Sequence, residues 1–173
     1  MKTKVVEIDC YKEADCSVAV GIWNYWDHEH VTIIHAGYKG AKILYEDENV
    51  VIMWLTMRVP ILRFLSVSTI VTMKRQDENT LKVCNSMVGI PVVTTIRVTE
   101  AGDDMSKYHM NYKFFLLGWR ELLASLYGWG LRIAVPWWNA RQWQEDLPIK
   151  LRRQKLLRAG FKDFNGLPKN ISD

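Results

Sequence analysis

The sequence predicts an α+β chain in which an antiparallel sheet of about six to seven strands curves round one long C-terminal helix. Three observations lead there. After residue 40 apolar and polar residues alternate in a series of runs, each closed by a short polar turn. Helical spacing returns near Trp119 and continues, with interruptions, to about Arg158. A shorter helical stretch precedes the sheet, so helices and strands are segregated rather than alternating.

Each element has its own signal. "KVVEIDCY" reads as an opening strand, and a helix is expected from about Cys16 to Ala36, capped by Asp15 or Ser17 and stopped by Gly37 and Gly40. "AKILYEDEN" and "VVIMWLTMRV" form a hairpin across an acidic, Asn-containing turn. "RFLSVSTIVTMKR" and "TLKVCNSMVG" flank the turn "QDEN", and "PVVTTIRVTE" and "SKYHMNYKFFL" flank "AGDD". Ala159-Gly160 ends the long helix. Residues 1–173 are expected to form one domain with a flexible tail over 161–173.

Composition bounds the function classes. Of the 173 residues 49% are apolar and 24% charged, enough to bury a substantial core. The net charge of +4 is mildly basic. Its one concentration, Lys150, Arg152, Arg153, Lys155 and Arg158, reads as a solvated helix face, with no nucleic-acid partner expected. Three cysteines without CxxC or CxH spacing exclude a zinc knuckle or an iron–sulfur cluster built from this chain alone. No secretory signal is visible at the N-terminus, and a cytoplasmic protein is expected. The stretch 114–138 is the most membrane-like, but Arg120, Glu121 and Arg132 argue against a span. Peripheral membrane contact stays open. Eight tryptophans suit a core or the wall of a cavity for an apolar ligand. GxSxG, P-loop and dinucleotide fingerprints are all absent from the sequence.

The stretch "NYWDHEHVTIIHAG", residues 24–37, carries three of the four histidines. On a regular helix Ile22, Trp23, Trp26, His30, Ile33 and Ile34 share a stripe of about 120°, so His30 faces inward and Asp27 sits at the stripe's edge. His28, Asn24 and His35 point away from it. His35 lies about 140° from His30, so the two meet only if the helix loosens over Val31–Ile34, where β-branched residues are poor helix formers. His109 is isolated in a strand and reads as a structural or surface residue.

The order of elements resembles the helix-grip fold of the START-like superfamily. Within it, Asn24-x-x-Asp27-x-x-His30-x-x-x-x-His35 resembles the mononuclear-iron motif of Rieske-type ring-hydroxylating oxygenases. That resemblance implies a non-haem Fe(II) held by His30, His35 and a carboxylate of the C-terminal helix. The family pattern points to Asp146 rather than Glu145 for that carboxylate. Asp27 would bridge electrons toward the iron and Asn24 would support it from behind. A facial triad leaves positions open for O₂ or substrate. The implied activity is oxidation of an apolar, aromatic or lipid-like substrate. No Rieske domain precedes the motif, so a separate ferredoxin-like donor would supply the electrons.

Two other readings stand beside it. One is a metal-free START-like carrier or sensor of a lipid, sterol or polyketide. The other is a metal-free cyclase or hydrolase using His30 and Asp27 as an acid–base pair. The oligomeric state is open.

Overall fold

In the computed structural model, residues 3–28, 31, 34–58, 65–87 and 89–161 are described. They form β1 (Lys4–Ala14), α1 (Val18–Trp26), β2 (Tyr38–Glu46), β3 (Val50–Arg58), β4 (Ser66–Asp77), β5 (Thr80–Met87), β6 (Ile90–Gly102), β7 (Met105–Leu116), a single turn α2 (Trp119–Leu122) and the long α3 (Ala124–Arg158). The strands make one seven-stranded antiparallel sheet in the order β1-β7-β6-β5-β4-β3-β2. The sheet and long C-terminal helix expected from the sequence are both present. β2 to β7 run as a meander, and β1 closes on β7.

The turns form where the acidic and Asn residues stand. Asp47 accepts hydrogen bonds from the backbone amides of Asn49 and Val50, both at 2.8 Å, and Asp77 accepts from that of Asn79 at 2.9 Å. Such local bonds let Asp and Asn favour turns over strands. Asp104, at φ 55°, completes the β6–β7 turn. Strand alternation then sets the core. Val92, Ile96 and Val98 of β6 and Tyr108, Met110, Phe114 and Leu116 of β7 turn inward and are buried.

α1 is shorter than the expected 16–36. Ser17 caps it, accepting from the Val20 amide at 3.4 Å, and it ends at Trp26. Asp27 leaves the helical region at φ −76°, ψ 95°, and its carboxylate pairs with Arg153 of α3. A tertiary ion pair here overrides the local periodicity. Asp27 and His28 are not helical, so one continuous wheel from 22 to 35 does not hold, although Val31 and Ile34 are helical again.

α3 has 35 residues, and Pro136 and Pro148 lie within it. Ala159 is its C-cap, followed by Gly160 at φ +85°, a left-handed conformation open to glycine. Its last turns are tied to the rest of the fold by directed bonds. Gln154 accepts from the Ser17 amide at 2.9 Å and donates to Asp104 at 2.7 Å. Arg158 donates to the other Asp104 oxygen at 2.8 Å. The start of α1, the β6–β7 turn and the end of α3 are thus one joint.

The basic run near the C-terminus is therefore not wholly a solvated face. Lys150 is fully buried and Arg153 is buried as well, while Arg152, Lys155 and Arg158 remain exposed.

Gly21 of α1 faces the fully buried Tyr108: a Cβ there would lie 2.5 Å from the Tyr108 hydroxyl. Alanine would gain up to about 1 kcal/mol in helix propensity. Overpacking a rigid site costs about 1–3 kcal/mol, so the clash wins. Gly21→Ala is expected to lower stability by about 1–2 kcal/mol in urea unfolding; an equal or higher midpoint would show that Tyr108 gives way.

Candidate functional site

Between the inner face of the sheet and the helices lies a cavity of about 180 Å³. Its floor is mostly apolar: Met53 and Leu55 of β3, Val71 and Met73 of β4, Val83 of β5, Ile96 of β6 and Met110 of β7, with Asn85, Thr94 and Tyr112 adding polar groups from β5, β6 and β7. Its roof is polar. Asn24, His28, His35 and Tyr38 come from α1 and the segment after it, and Asn139, Gln142 and Asp146 from α3. The last three recur at spacings of three and four, which puts them on one helix face.

His35 stands between two carboxylates. Its Nδ1 lies 2.9 Å from Glu145 Oε2 and its Nε2 3.2 Å from Asp146 Oδ1. An imidazole with a carboxylate at each nitrogen can take a proton at one and release one at the other. The other Asp146 oxygen lies 3.6 Å from Lys150 Nζ.

Lys150 is 0% exposed and sits among three aromatic rings: Trp143 at 4.2 Å, Tyr25 at 4.8 Å and Tyr108 at 5.1 Å from ammonium to centroid. Ring faces attract cations at such distances. Burial nevertheless pushes its pKa from 10.5 down to about 8, although Asp146 pulls the other way. Burial also raises the phenols round the cavity. Tyr38 is pushed up to about 12, against the pull of the bond it accepts from Gln142 at 2.7 Å. Tyr25, Tyr108 and Tyr112 move upward for the same reason. All four stay neutral hydroxyls at ordinary pH.

Some polar capacity at the cavity is uncommitted. Asn139 gives its amide hydrogens to Met110 Sδ at 3.0 Å and Tyr112 Oη at 2.9 Å. Among the described residues nothing pairs with Asn139 Oδ1, Asn85 Oδ1 or Asn24 Nδ2. Buried polar atoms seldom go unpaired in the absence of a ligand or water.

The structure brings together only part of the sequence-derived set. His35 and Asp146 meet although they are far apart in the chain, and Glu145 joins them on the other side of the ring. Asn24 is fully buried and accepts from Arg153 at 3.0 Å. Asp27 pairs with the same arginine, whose guanidinium lies 3.8 Å over the Trp23 ring. His30 lies outside the described residues. His28, expected on the exposed side, is buried and lines the cavity. His109 is partly exposed and pairs with Asp9 at 2.6 Å, as a surface residue would.

The iron expectation is corrected. Among the described residues no three His, Cys, Asp or Glu side chains are grouped to hold a metal ion. Cations of the protein already stand against the acidic groups: Lys150 at Asp146 and Arg153 at Asp27. A divalent ion there would be repelled by both, so the donor set does not fit Fe(II). With the iron goes the reason for a ferredoxin-like donor. The spacing motif is explained by burial: Asn24 and Asp27, three residues apart, both meet Arg153. Lys150 and Arg153 were missed because a basic run ordinarily faces water; the nearby Tyr and Trp residues were the available signal.

Lys150 makes stability depend on pH. Its folded pKa is lowered, so between about 8 and 10.5 the folded state sheds a proton that the unfolded state keeps. The cost of burying the ammonium is fully present below pH 8 and fades as pH rises through that window. Its size is on the order of 3 kcal/mol at most. The chain is expected to gain stability from Lys150 across this window, and Lys150→Met to remove that gain. Unfolding midpoints of both proteins at several pH values read it; identical slopes would refute it.

No protein-family model matches the chain, and no curated protein matches it. Solved structures do. The di-domain aromatase/cyclase StfQ of the steffimycin biosynthetic pathway superposes with a TM-score of 0.69 at 9% identity, over 91% of this chain and 53% of that one. The chain thus spans about half of that protein. Norcoclaurine synthase from Thalictrum flavum, solved in complex with dopamine and hydroxybenzaldehyde, gives 0.61 at 16% identity over 87% and 88%. A START superfamily protein from Mycobacterium smegmatis gives 0.55 at 16% identity over 87% and 98%. These neighbours are aromatase/cyclase, synthase and START-superfamily structures, not oxygenase catalytic domains, which overturns the resemblance to Rieske-type enzymes. What the likeness establishes is the START-like helix-grip fold.

Proposed function

We propose that the chain binds a small apolar ring compound in the cavity between sheet and α3. The observation that carries this reading is the cavity itself, mostly apolar on the sheet side and with most of its polar groups on the helix side. Size narrows the ligand. A dry apolar cavity of about 150 Å³ accepts benzene, so about 180 Å³ suits a ring-sized molecule rather than a sterol. The uncommitted carbonyl oxygens of Asn139 and Asn85 favour a ligand with hydroxyl or amine donors. The dopamine and hydroxybenzaldehyde held by the norcoclaurine synthase of the same fold are of this size and kind.

A second reading, a cyclase, is favoured by His35 between Glu145 and Asp146. Carbon–carbon ring closure begins by removing a proton next to a carbonyl. Asp146 lines the cavity and can accept that proton, and His35 can carry it on to Glu145. The pair is His35 and Asp146 rather than the sequence-derived His30 and Asp27, because Asp27 is committed to Arg153.

Two measurements separate these readings. Val71→Phe fills the apolar floor and is expected to weaken binding of hydroxybenzaldehyde, followed by calorimetry, by about tenfold or more. Unchanged affinity in a folded variant would sink the binding reading. For the cyclase, hydrogen–deuterium exchange at the carbon beside the carbonyl of a ring-sized aryl ketone is followed by NMR. Asp146→Asn and His35→Gln should each slow it by about a hundredfold. Wild-type exchange no faster than in buffer leaves a carrier only.

A further inference from the structure

The first half of α3 exposes what a helix usually buries. Leu122, Leu126, Trp129, Ile133 and Trp137 are 86%, 62%, 65%, 56% and 56% exposed. Four of the five belong to α3, and Leu122 ends the α2 turn before it. Their spacings of four, three, four and four place them within about 80° of arc, a stripe roughly 23 Å long. Leu117, Trp119 and Leu123 extend it at the near end, also exposed. Only Gly128 and Val135 are buried in the first 15 residues of α3, from 124 to 138. The inward face here is narrow and the outward face is apolar.

The charges beside the stripe are mostly positive: Glu121 at its near end is the one acidic residue of 117–144, against Arg120, Arg132 and Arg141. From residue 122 to 144 there is no Asp or Glu, while Arg132 is exposed and Arg120 lies over the Trp119 ring at 5.2 Å. Tryptophan and arginine beside exposed leucine and isoleucine match the boundary of a lipid bilayer. There the indole N–H stays wet, the ring enters the acyl region and the guanidinium meets phosphate. No described helix is long and apolar enough to cross a membrane, so the stripe would lie in the plane of the surface. A second copy fits less well. A two-fold contact along this face would oppose one Arg132 to the other, in a chain already at +4. The far end of the stripe, Trp137, lies two and five residues before the cavity residues Asn139 and Gln142.

We infer that this face of α3 docks on the surface of an anionic lipid bilayer, with Trp129 and Ile133 entering the interface and Arg132 meeting lipid phosphate. The inference is independent of the ligand reading, since docking needs no occupant in the cavity.

Flotation of the full chain with vesicles of phosphatidylcholine, with and without phosphatidylserine, tests it in the absence of any ligand. Binding is expected on the phosphatidylserine vesicles and is expected to weaken as salt is added. Trp129→Glu with Ile133→Glu should reduce binding by about tenfold or more, and Arg132→Glu should reduce it on the anionic vesicles alone. Both sites are exposed, and circular dichroism confirms that the variants remain folded. Vesicle binding that is absent at low salt, or unchanged in the folded double variant, overturns the inference. A monomer–dimer equilibrium abolished by the same double substitution, without vesicle binding, would assign the stripe to a second copy.

Discussion

The second half of α3 is held to the fold by buried positive charge. Lys150 enters a cage of Tyr25, Tyr108 and Trp143, and Arg153 reaches Asn24, Asp27 and the face of Trp23. A buried ammonium or guanidinium costs several kcal/mol unless partners surround it. Here each cation has a carboxylate and aromatic faces, so the helix has one register in which both are satisfied. Sliding α3 by a residue would turn both cations away from their partners. That register fixes Asn139, Gln142 and Asp146 at the cavity roof and brings Asp146 beside His35.

The same constraint ends α1. Asp27 meets Arg153, the backbone turns extended, and the chain after it brings His28 and His35 to the cavity wall. A site that joins residues 24–38 to residues 139–146 is therefore set by one arginine and one lysine on α3. The sheet contributes a floor of side chains without charge, whose spacing follows from strand alternation.

Much of the fold is legible in the sequence, because its signals are local. Asp47, Asp77 and Asp104 mark turns by bonds or backbone conformations within a few residues. Alternation in β6 and β7 gives the buried face directly. The site is legible only in part. His35 and Asp146 were singled out, and they meet. The reason they meet is long-range and electrostatic: Arg153 and Lys150 lie in what reads as a surface run, and no spacing rule links them to Asp27 or Tyr25. The α3 pattern also runs opposite to expectation. Charged and amide residues of its second half face inward and apolar residues of its first half face outward, so periodicity alone misplaces its faces.

α3 is consequently one helix with two kinds of support. Its end shares Gln154 and Arg158 with Ser17 and Asp104, two other parts of the chain, so that end can melt only when those parts melt. Its beginning has few buried side chains and can open by itself. Backbone amides near residue 154 should therefore exchange only through global unfolding. Those near residue 126 should exchange through local opening while the sheet stays intact. The helix is continuous in shape and divided in cooperativity, with Asn139 and Trp143 near the division.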